Sequence, residues 1–152
     1  MSVHGQELLA HYQGAAERMG DLPMFNPALS VAMPGWRALD DGTEAGVLIT
    51  PWCINLLWVP AASLPGKGEP CILALPSGEY EGIVAELEGG IRFGSASLVS
   101  DTTVLRDQAE AAELVREMEK LIFAMPTPEE VADQPAMPAR RQLFRSLMGN
   151  RG

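Results

Sequence analysis

Gly46-Val-Leu-Ile-Thr-Pro-Trp-Cys-Ile-Asn-Leu-Leu-Trp-Val-Pro60 is the stretch whose reading decides the fold, since it carries two of the three tryptophans and sits in a run without charge from Ala45 to Gly66. A run of roughly 20 residues has the length of a membrane-spanning helix. Pro51 argues against that reading, because it removes a backbone donor and pushes Thr50 out of helical space; Pro60 and Pro65 follow, and polar Asn55 lies between. The flank of Asp40, Asp41 and Glu44 is acidic, whereas a cytoplasmic flank is typically basic. Two strands joined by a bend at Thr50-Pro51-Trp52 are expected instead.

Val47, Leu48 and Ile49 form a continuous apolar run, as in a strand covered on both faces. Such a strand belongs centrally in a sheet. After the bend, Cys53, Asn55, Leu57 and Val59 alternate with Ile54, Leu56 and Trp58, which puts one amide on an otherwise apolar face. Asn55 then either ties the bend to neighbouring backbone or faces a ligand or partner.

Working outward, 152 residues suit one ordinary domain, and an apolar content of 47% with a mean hydropathy of +0.04 excludes general disorder. Charge is unevenly distributed. Residues 139–152 carry four arginines and no acid, so with a net charge of −9 the first 138 residues carry −9 − 4 = −13. An acidic body repels nucleic acid and anionic lipid and attracts basic segments of other chains. Cys53 and Cys71 stand 18 apart without a Cys-x-x-Cys pair, which indicates neither a zinc site nor a disulfide framework. The amino terminus shows no secretory signal pattern, so a cytoplasmic location is expected.

Residues 5–19 read as a helix with Leu8, Tyr12, Ala15 or Ala16, and Met19 on one face, stopped by Gly20. His4, Glu7 and His11 share a side of it at a spacing a metal can use, but no further ligand is near. Leu29, Val31 and Met33 alternate as a strand up to Pro34-Gly35, and Trp36 to Leu39 extends it past a break. Asp40-Asp41-Gly42 is a hairpin-type turn into the central run. Cys71–Leu75 is a further strand, Pro76-Ser77-Gly78 a turn, and Tyr80–Glu88 and Ile91–Val99 flank a Gly89-Gly90 hairpin. A two-residue loop there sets Leu87 opposite Arg92 and Glu86 opposite Phe93.

Ser100-Asp101 is the expected entry to the longest helix, about Val104 to Met125, with Leu105, Ala112, Val115, Met118, Ile122 and Met125 as its buried stripe. Glu110, Glu113, Glu117, Glu119 and Lys120 fall outside that stripe. Residues 126–138 hold four prolines and read as a semi-rigid spacer. From Ala139 to Met148 a short basic helix is expected, Leu143, Phe144, Leu147 and Met148 being grouped among Arg140, Arg141 and Arg145. Ten such residues are marginal alone and need a surface. The fold class is thus α+β: a single domain over residues 1–125 with a mostly antiparallel sheet, an N-terminal helix and a long helix after the last hairpin, then the spacer and the tail.

Catalytic chemistry finds little material. The histidines are His4 and His11, no Gly-x-Ser-x-Gly elbow exists, and no phosphate-cradling glycine motif is present. Glu79, Glu81, Glu86 and Glu88 are spread by strand alternation rather than paired. A binding protein is favoured over an enzyme.

Three blocks carry a resemblance. Asn26-Pro-Ala-Leu-Ser-Val31, Gly46-Val-Leu-Ile-Thr-Pro-Trp52 with Asn55-Leu56, and Leu75-Pro-Ser-Gly78 before a strand, then Ser97-Leu-Val-Ser100, Arg140-Arg141 and Gly149, resemble the HybE/HupJ/HoxT family of nickel-iron hydrogenase assembly chaperones. The match runs from about Asn26 to Gly149, and Thr-Pro-Trp is its most specific piece. Asp101 stands where the family often has proline, and the rubredoxin-like module of some relatives has no counterpart, so electron transfer is not carried over. The resemblance implies a non-enzymatic cytoplasmic protein, without cofactor or metal, that binds the large or small hydrogenase subunit precursor before twin-arginine export. Its expected partner-binding residues are Pro51, Trp52, Asn55, Pro76 and Gly78, with Arg140, Arg141 and Phe144 of the tail. Trp52 is equally readable as a core aromatic locking the bend, and the tail as resting on the protein's own acidic surface. The alternative is a scaffold or metal carrier using Cys53, Cys71 or the histidines.

Overall fold

The uncharged run folds as the strand pair the residues call for. In a computed structural model that describes residues 2–88 and 90–124, β2 (Glu44–Ile49) and β3 (Ile54–Val59) lie antiparallel with Leu48 opposite Asn55 and Ile49 opposite Ile54. With β1 (Arg37–Ala38), β4 (Pro70–Leu75), β5 (Gly78–Glu86) and β6 (Arg92–Val99) they make one antiparallel sheet in the order β1-β2-β3-β6-β5-β4. Helix α1 (Val3–Arg18) covers one face and α2 (Gln108–Ile122) the other. Spacer 126–138 and tail 139–152 lie outside the described residues.

Strand parity divides the core in two. Val47, Ile49, Ile54, Leu56 and Trp58 join Leu73, Tyr80, Val84 and Leu98 on the α2 side, where Ala111, Val115, Met118 and Ile122 meet them. Leu48, Leu57 and Phe93 point the other way, onto Leu8 and Tyr12 of α1. Strand β2 is buried on both faces from Ala45 to Ile49, as its unbroken apolar sequence requires. It nevertheless lies one strand in from the edge, and the centre is held by β3 and β6.

The sheet is not flat. Strand β5 pairs with β6 only from Ile83 to Glu86, so its first half leaves the sheet with β4 and curls over α2. Trp58 fills the hollow of that curl. A Cβ on Gly94 would stand 2.1 Å from the indole Cε2, and one on Gly82 would stand 2.5 Å from the Ser95 carbonyl oxygen. Both positions therefore exclude a side chain.

Several expectations are corrected. The Leu29–Met33 strand reduces to one bridge, Ala32 with Ile49, because the Leu29 N–H is committed to the Asn26 carbonyl and the Ser30 N–H to Gln108 Oε1. The β5–β6 loop holds three residues, 88–90, with Gly90 at φ +96° and Leu87 N–H donating to the Ile91 carbonyl. Glu86 therefore faces Arg92 and Ala85 faces Phe93, one position away from the two-residue register.

The long helix begins later than Val104. Asp101 caps only a single 3-10 turn, Thr102–Val104, and Asp107 caps α2 by accepting from the Glu110 N–H at 2.8 Å. Leu105 is buried ahead of the helix, and Ala111 rather than Ala112 lies within the stripe. Glu119 is buried too, at 8% exposure, against expectation. It sits against Gly35, where a Cβ would collide with its carboxylate, and 3.4 Å from Arg37, whose guanidinium covers the Phe123 ring at 4.1 Å.

Candidate functional site

The Thr50–Cys53 bend is braced from inside the chain. Thr50 Oγ1 donates to the Cys53 carbonyl at 2.7 Å and accepts from the Cys53 and Trp52 N–H groups at 2.9 and 3.3 Å. The Pro51 carbonyl accepts from the Asn26 N–H and from Thr102 Oγ1, both at 2.7 Å. Asn26 Nδ2 donates to the Thr102 and Leu105 carbonyls at 2.8 Å each. The amide that ties the bend is thus Asn26, a residue read from sequence only as a turn. Trp52 stacks half-buried on Phe25, ring centroids 6.4 Å apart, beside the exposed Leu22 and Met24. The stack joins the bend to the segment just before Asn26, in which Leu22 and Met24 are exposed.

Asn55 does not brace the bend backbone. Its Nδ2 reaches Ser95 Oγ at only 3.5 Å, and its Oδ1 is buried with no hydrogen-bond partner among the described residues. An unpartnered buried carbonyl costs about 1–3 kcal/mol, and this one is shielded from solvent as well. Nearby, burial and the Cys53 thiol push the Tyr12 phenol up to about 12. Burial also pushes the Cys53 thiol up, against hydrogen bonds from Thr50 and Asn55 that pull it down. Both groups stay neutral at ordinary pH, and a neutral thiol is a poor nucleophile and a poor metal ligand.

Beyond Asn55 no described residue covers the α1-side face. Helix α1 reaches the residues around Leu57 and Phe93 but not the β4–β5 hairpin, whose cross-strand pairs on this face are Pro70 with Ile83, Ile72 with Glu81 and Ala74 with Glu79. Ile72 is 57% and Ile83 52% exposed. Glu79 and Glu81 are exposed on this face and Glu69 is exposed at the edge opposite Val84; none of the three makes an ion pair among the described residues. The edge is open as well. Val84 exchanges backbone hydrogen bonds with Gly68 and Glu69, so by antiparallel alternation Cys71, Leu73 and Leu75 bond to β5 while Ile72 and Ala74 direct their backbone groups outward.

The expected site residues separate into groups. Pro51, Trp52 and Asn55 come together at the bend. Pro76 and Gly78, the latter at φ 142°, shape the β4–β5 turn on the far hairpin. In that turn Ser77 makes the tie that sequence reading missed: Oγ donates to the Ile122 carbonyl at 2.6 Å and, its hydrogen being used, accepts from the Tyr80 hydroxyl at 3.0 Å. Arg140, Arg141 and Phe144 lie outside the described residues.

Metal and catalytic readings gain nothing from the arrangement. Cys53 lies beside Tyr12 on the α1 side while Cys71 is in the α2-side core, so the sheet separates the two thiols. His4 Nδ1 is 2.7 Å from Glu44 Oε2, which also accepts through Oε1 from Trp36 Nε1 at 3.1 Å. Among the described residues no three His, Cys, Asp or Glu side chains group as a metal site, and no helix is long and apolar enough to cross a membrane. A hollow of about 280 Å³ is lined by Pro60, Ala62, Ser63, Leu64 and the Glu86–Arg92 ion pair.

Comparison with known proteins gives the same direction as the matched blocks. A family model described as "[NiFe]-hydrogenase assembly, chaperone, HybE" matches residues 4–146. The chain is 45% identical over 150 residues to the hydrogenase expression/formation protein HupT of Azotobacter chroococcum and equally to HoxT of Azotobacter vinelandii, covering 97% of this chain and 98% of each relative. The solution structure of HybE from Escherichia coli superposes with a TM-score of 0.60 at 26% identity, over 84% of this chain and 80% of that one. This chain belongs to the HybE family of nickel-iron hydrogenase assembly chaperones.

Proposed function

We propose that the protein binds a nickel-iron hydrogenase subunit precursor in the cytoplasm, during assembly and before twin-arginine export, and that the uncovered half of the α1-side sheet face is where the precursor lies. The observation that carries this reading is the exposure of Ile72 and Ile83 beside Glu79 and Glu81, which make no ion pair among the described residues. Isolated exposed apolar residues are ordinary, but two that share a strand-pair face with a free edge offer both side-chain and backbone contacts to an extended segment. The Trp52–Phe25 pair supplies an aromatic anchor beyond that face, and Asn55, its Oδ1 shielded from solvent, offers an acceptor once its amide turns outward. Charge sets the partner's chemistry: a body of this sign selects an apolar segment carrying Lys or Arg.

The experiment is recovery of unprocessed large or small subunit on tagged protein, with wild type beside Ile72→Asp/Ile83→Asp. Wild type is expected to retain a precursor and the double variant to lose it by tenfold or more. Recovery of wild type free of both precursors, from cells making them, would end this reading. Equal recovery by the variant would move the client to another surface.

A further inference from the structure

The described chain ends in a telling place. The Ile122 carbonyl at the close of α2 is held by Ser77 of the β4–β5 turn, so Ala124 leaves the domain beside the very hairpin whose outer face is uncovered. The fourteen residues 125–138 then separate this exit from the basic segment 139–152. Fully extended, fourteen residues reach at most about 45–50 Å, whereas passing round edge strand β4 to the other face of the sheet takes on the order of 10 Å. Reach is ample.

Composition matches the face. Residues 139–152 carry Arg140, Arg141, Arg145 and Arg151 without an acid, and Leu143 with Leu147 and Phe144 with Met148 recur at a spacing of four. The uncovered face presents the reciprocal set, Ile72 and Ile83 at its centre, with Glu81 opposite Ile72, Glu79 opposite Ala74 and Glu69 at the edge. Among the described residues, the ion pairs of this half of the sheet include only Glu86 with Arg92, which leaves those three carboxylates without a cation. A segment with arginines around an apolar stripe would neutralise the carboxylates and cover both isoleucines together.

We infer that residues 139–152 dock on the β4–β5 face of their own domain and keep it occupied until a client displaces them. Naming the client as the competitor rests on the function proposed above; the docking itself does not. Tethering raises the local concentration of the segment to about 1 mM, so even a segment with an intrinsic Kd of about 100 µM would weaken a competitor roughly tenfold.

The test uses the full chain with labelled isoleucine methyls, wild type beside Arg140→Glu/Arg141→Glu/Arg145→Glu. The Ile72 and Ile83 methyl resonances are expected to shift in the triple variant and to return to wild-type positions when a synthetic peptide of residues 139–152 is added. Raising the salt should weaken that peptide's binding. Unchanged Ile72 and Ile83 methyls in the variant, or peptide-induced shifts confined to other methyls, would overturn the docking. Precursor affinity is measured on the same pair and is expected to rise about tenfold in the variant; a fall would make the tail a contact to the client and overturn its role as a competitor. If neither protein binds precursor while the methyls respond as expected, the proposed client is wrong and the docking stands.

Discussion

The two faces of one sheet are finished differently. On the α2 side, four apolar residues of the helix and the curled β4–β5 hairpin enclose Trp58 completely. On the α1 side, one fully buried leucine, Leu8, and a half-buried Tyr12 hold the helix, and half of the face is left bare. At about 1.5–3 kcal/mol for each large side chain taken from water, the α2 side carries most of the hydrophobic stabilisation. Helix α1 leans instead on polar ties, with Ser2 Oγ accepting from Gly5 N–H and Trp36 Nε1, each at 3.1 Å. A chaperone needs a rigid support under an exposed surface, and this division supplies both from the same strands.

The comparison breaks first at Trp58. Trp58→Ala should cost roughly 3–5 kcal/mol in urea unfolding, and Gly94→Ala, which forces a methyl into the indole, should cost at least about 3 kcal/mol because the ring has nowhere to move. Tyr12→Ala, on the other face, should cost less than either. A larger loss at Tyr12 than at Trp58 would reverse the assignment of the supporting face.

Next in size is Asn26. Replacing it with Ala removes two side-chain donors from buried carbonyls and should cost about 2–3 kcal/mol. It should also free the bend, seen as greater solvent exposure of Trp52 in fluorescence. Asn55→Ala removes an amide whose acceptor is already unpartnered and should cost less than about 1 kcal/mol. Equal costs would mean that both amides are structural.

Glu119 gives a pH signature to the supported side. Burial raises its carboxyl pKa above the ordinary 4.5, with Arg37 and the Val47 backbone pulling against it. The native state then holds the proton more tightly than the unfolded chain, so this group's contribution is full below pH 4.5 and lost as pH rises through the raised value. Asp41 and Asp101, lowered first by hydrogen bonds to Thr43 and Thr103, act in the opposite sense at lower pH. Subtracting the stability of Glu119→Gln from that of wild type at each pH isolates Glu119. The difference should fall as pH rises from about 4.5; a difference that rises would show the carboxylate to be stabilised by Arg37 more than it is penalised by burial.

Much of this architecture was legible because the strands are short and alternate cleanly. The opposite orientations of Leu48 and Ile49, and of Asn55 and Ile54, follow from parity alone. What escaped reading was set by contacts distant in sequence or by competing local signals. Asp101 is a plausible cap, yet Asp107-x-x-Glu110 is a second one six residues on, and the buried Thr102 hydroxyl committed to Pro51 decides between them. Glu119 sits at a position of the helix whose burial depends on Gly35 and Arg37 arriving from far upstream. Two adjacent glycines suggest a two-residue loop, whereas the Leu87–Ile91 backbone hydrogen bond, with Gly90 at positive φ, closes a loop one residue longer. At the candidate site, Trp52 and Asn55 were visible as an aromatic and an amide out of pattern. Ile83 falls on a hairpin whose sequence leaves neither face cleanly polar, which already points to one partly open apolar face, but the exposure of Ile72 beside it was not visible, because it comes from where α1 stops.

The smallest expected stability effect tests the other half of the comparison. If the bare half-face is a docking surface, its residues contribute to binding and hardly to folding. Ile72→Asp and Ile83→Asp should each change unfolding free energy by no more than about 0.5–1 kcal/mol, since more than half of each side chain is already in water. Leu73→Asp, one position along the same strand but pointing into the α2 side, should prevent folding, because an unpaired carboxylate there has no partner and no route to solvent. The contrast between neighbours on one strand separates surface from core without reference to any client. The docked tail inferred above adds at most about 1.4 kcal/mol to either cost, the RT ln 11 of an effective concentration ten times its Kd, and that increment should vanish in a protein already carrying Arg140→Glu/Arg141→Glu/Arg145→Glu. A loss of several kcal/mol at Ile72 that survives in this variant would mean that the face belongs to the packed core.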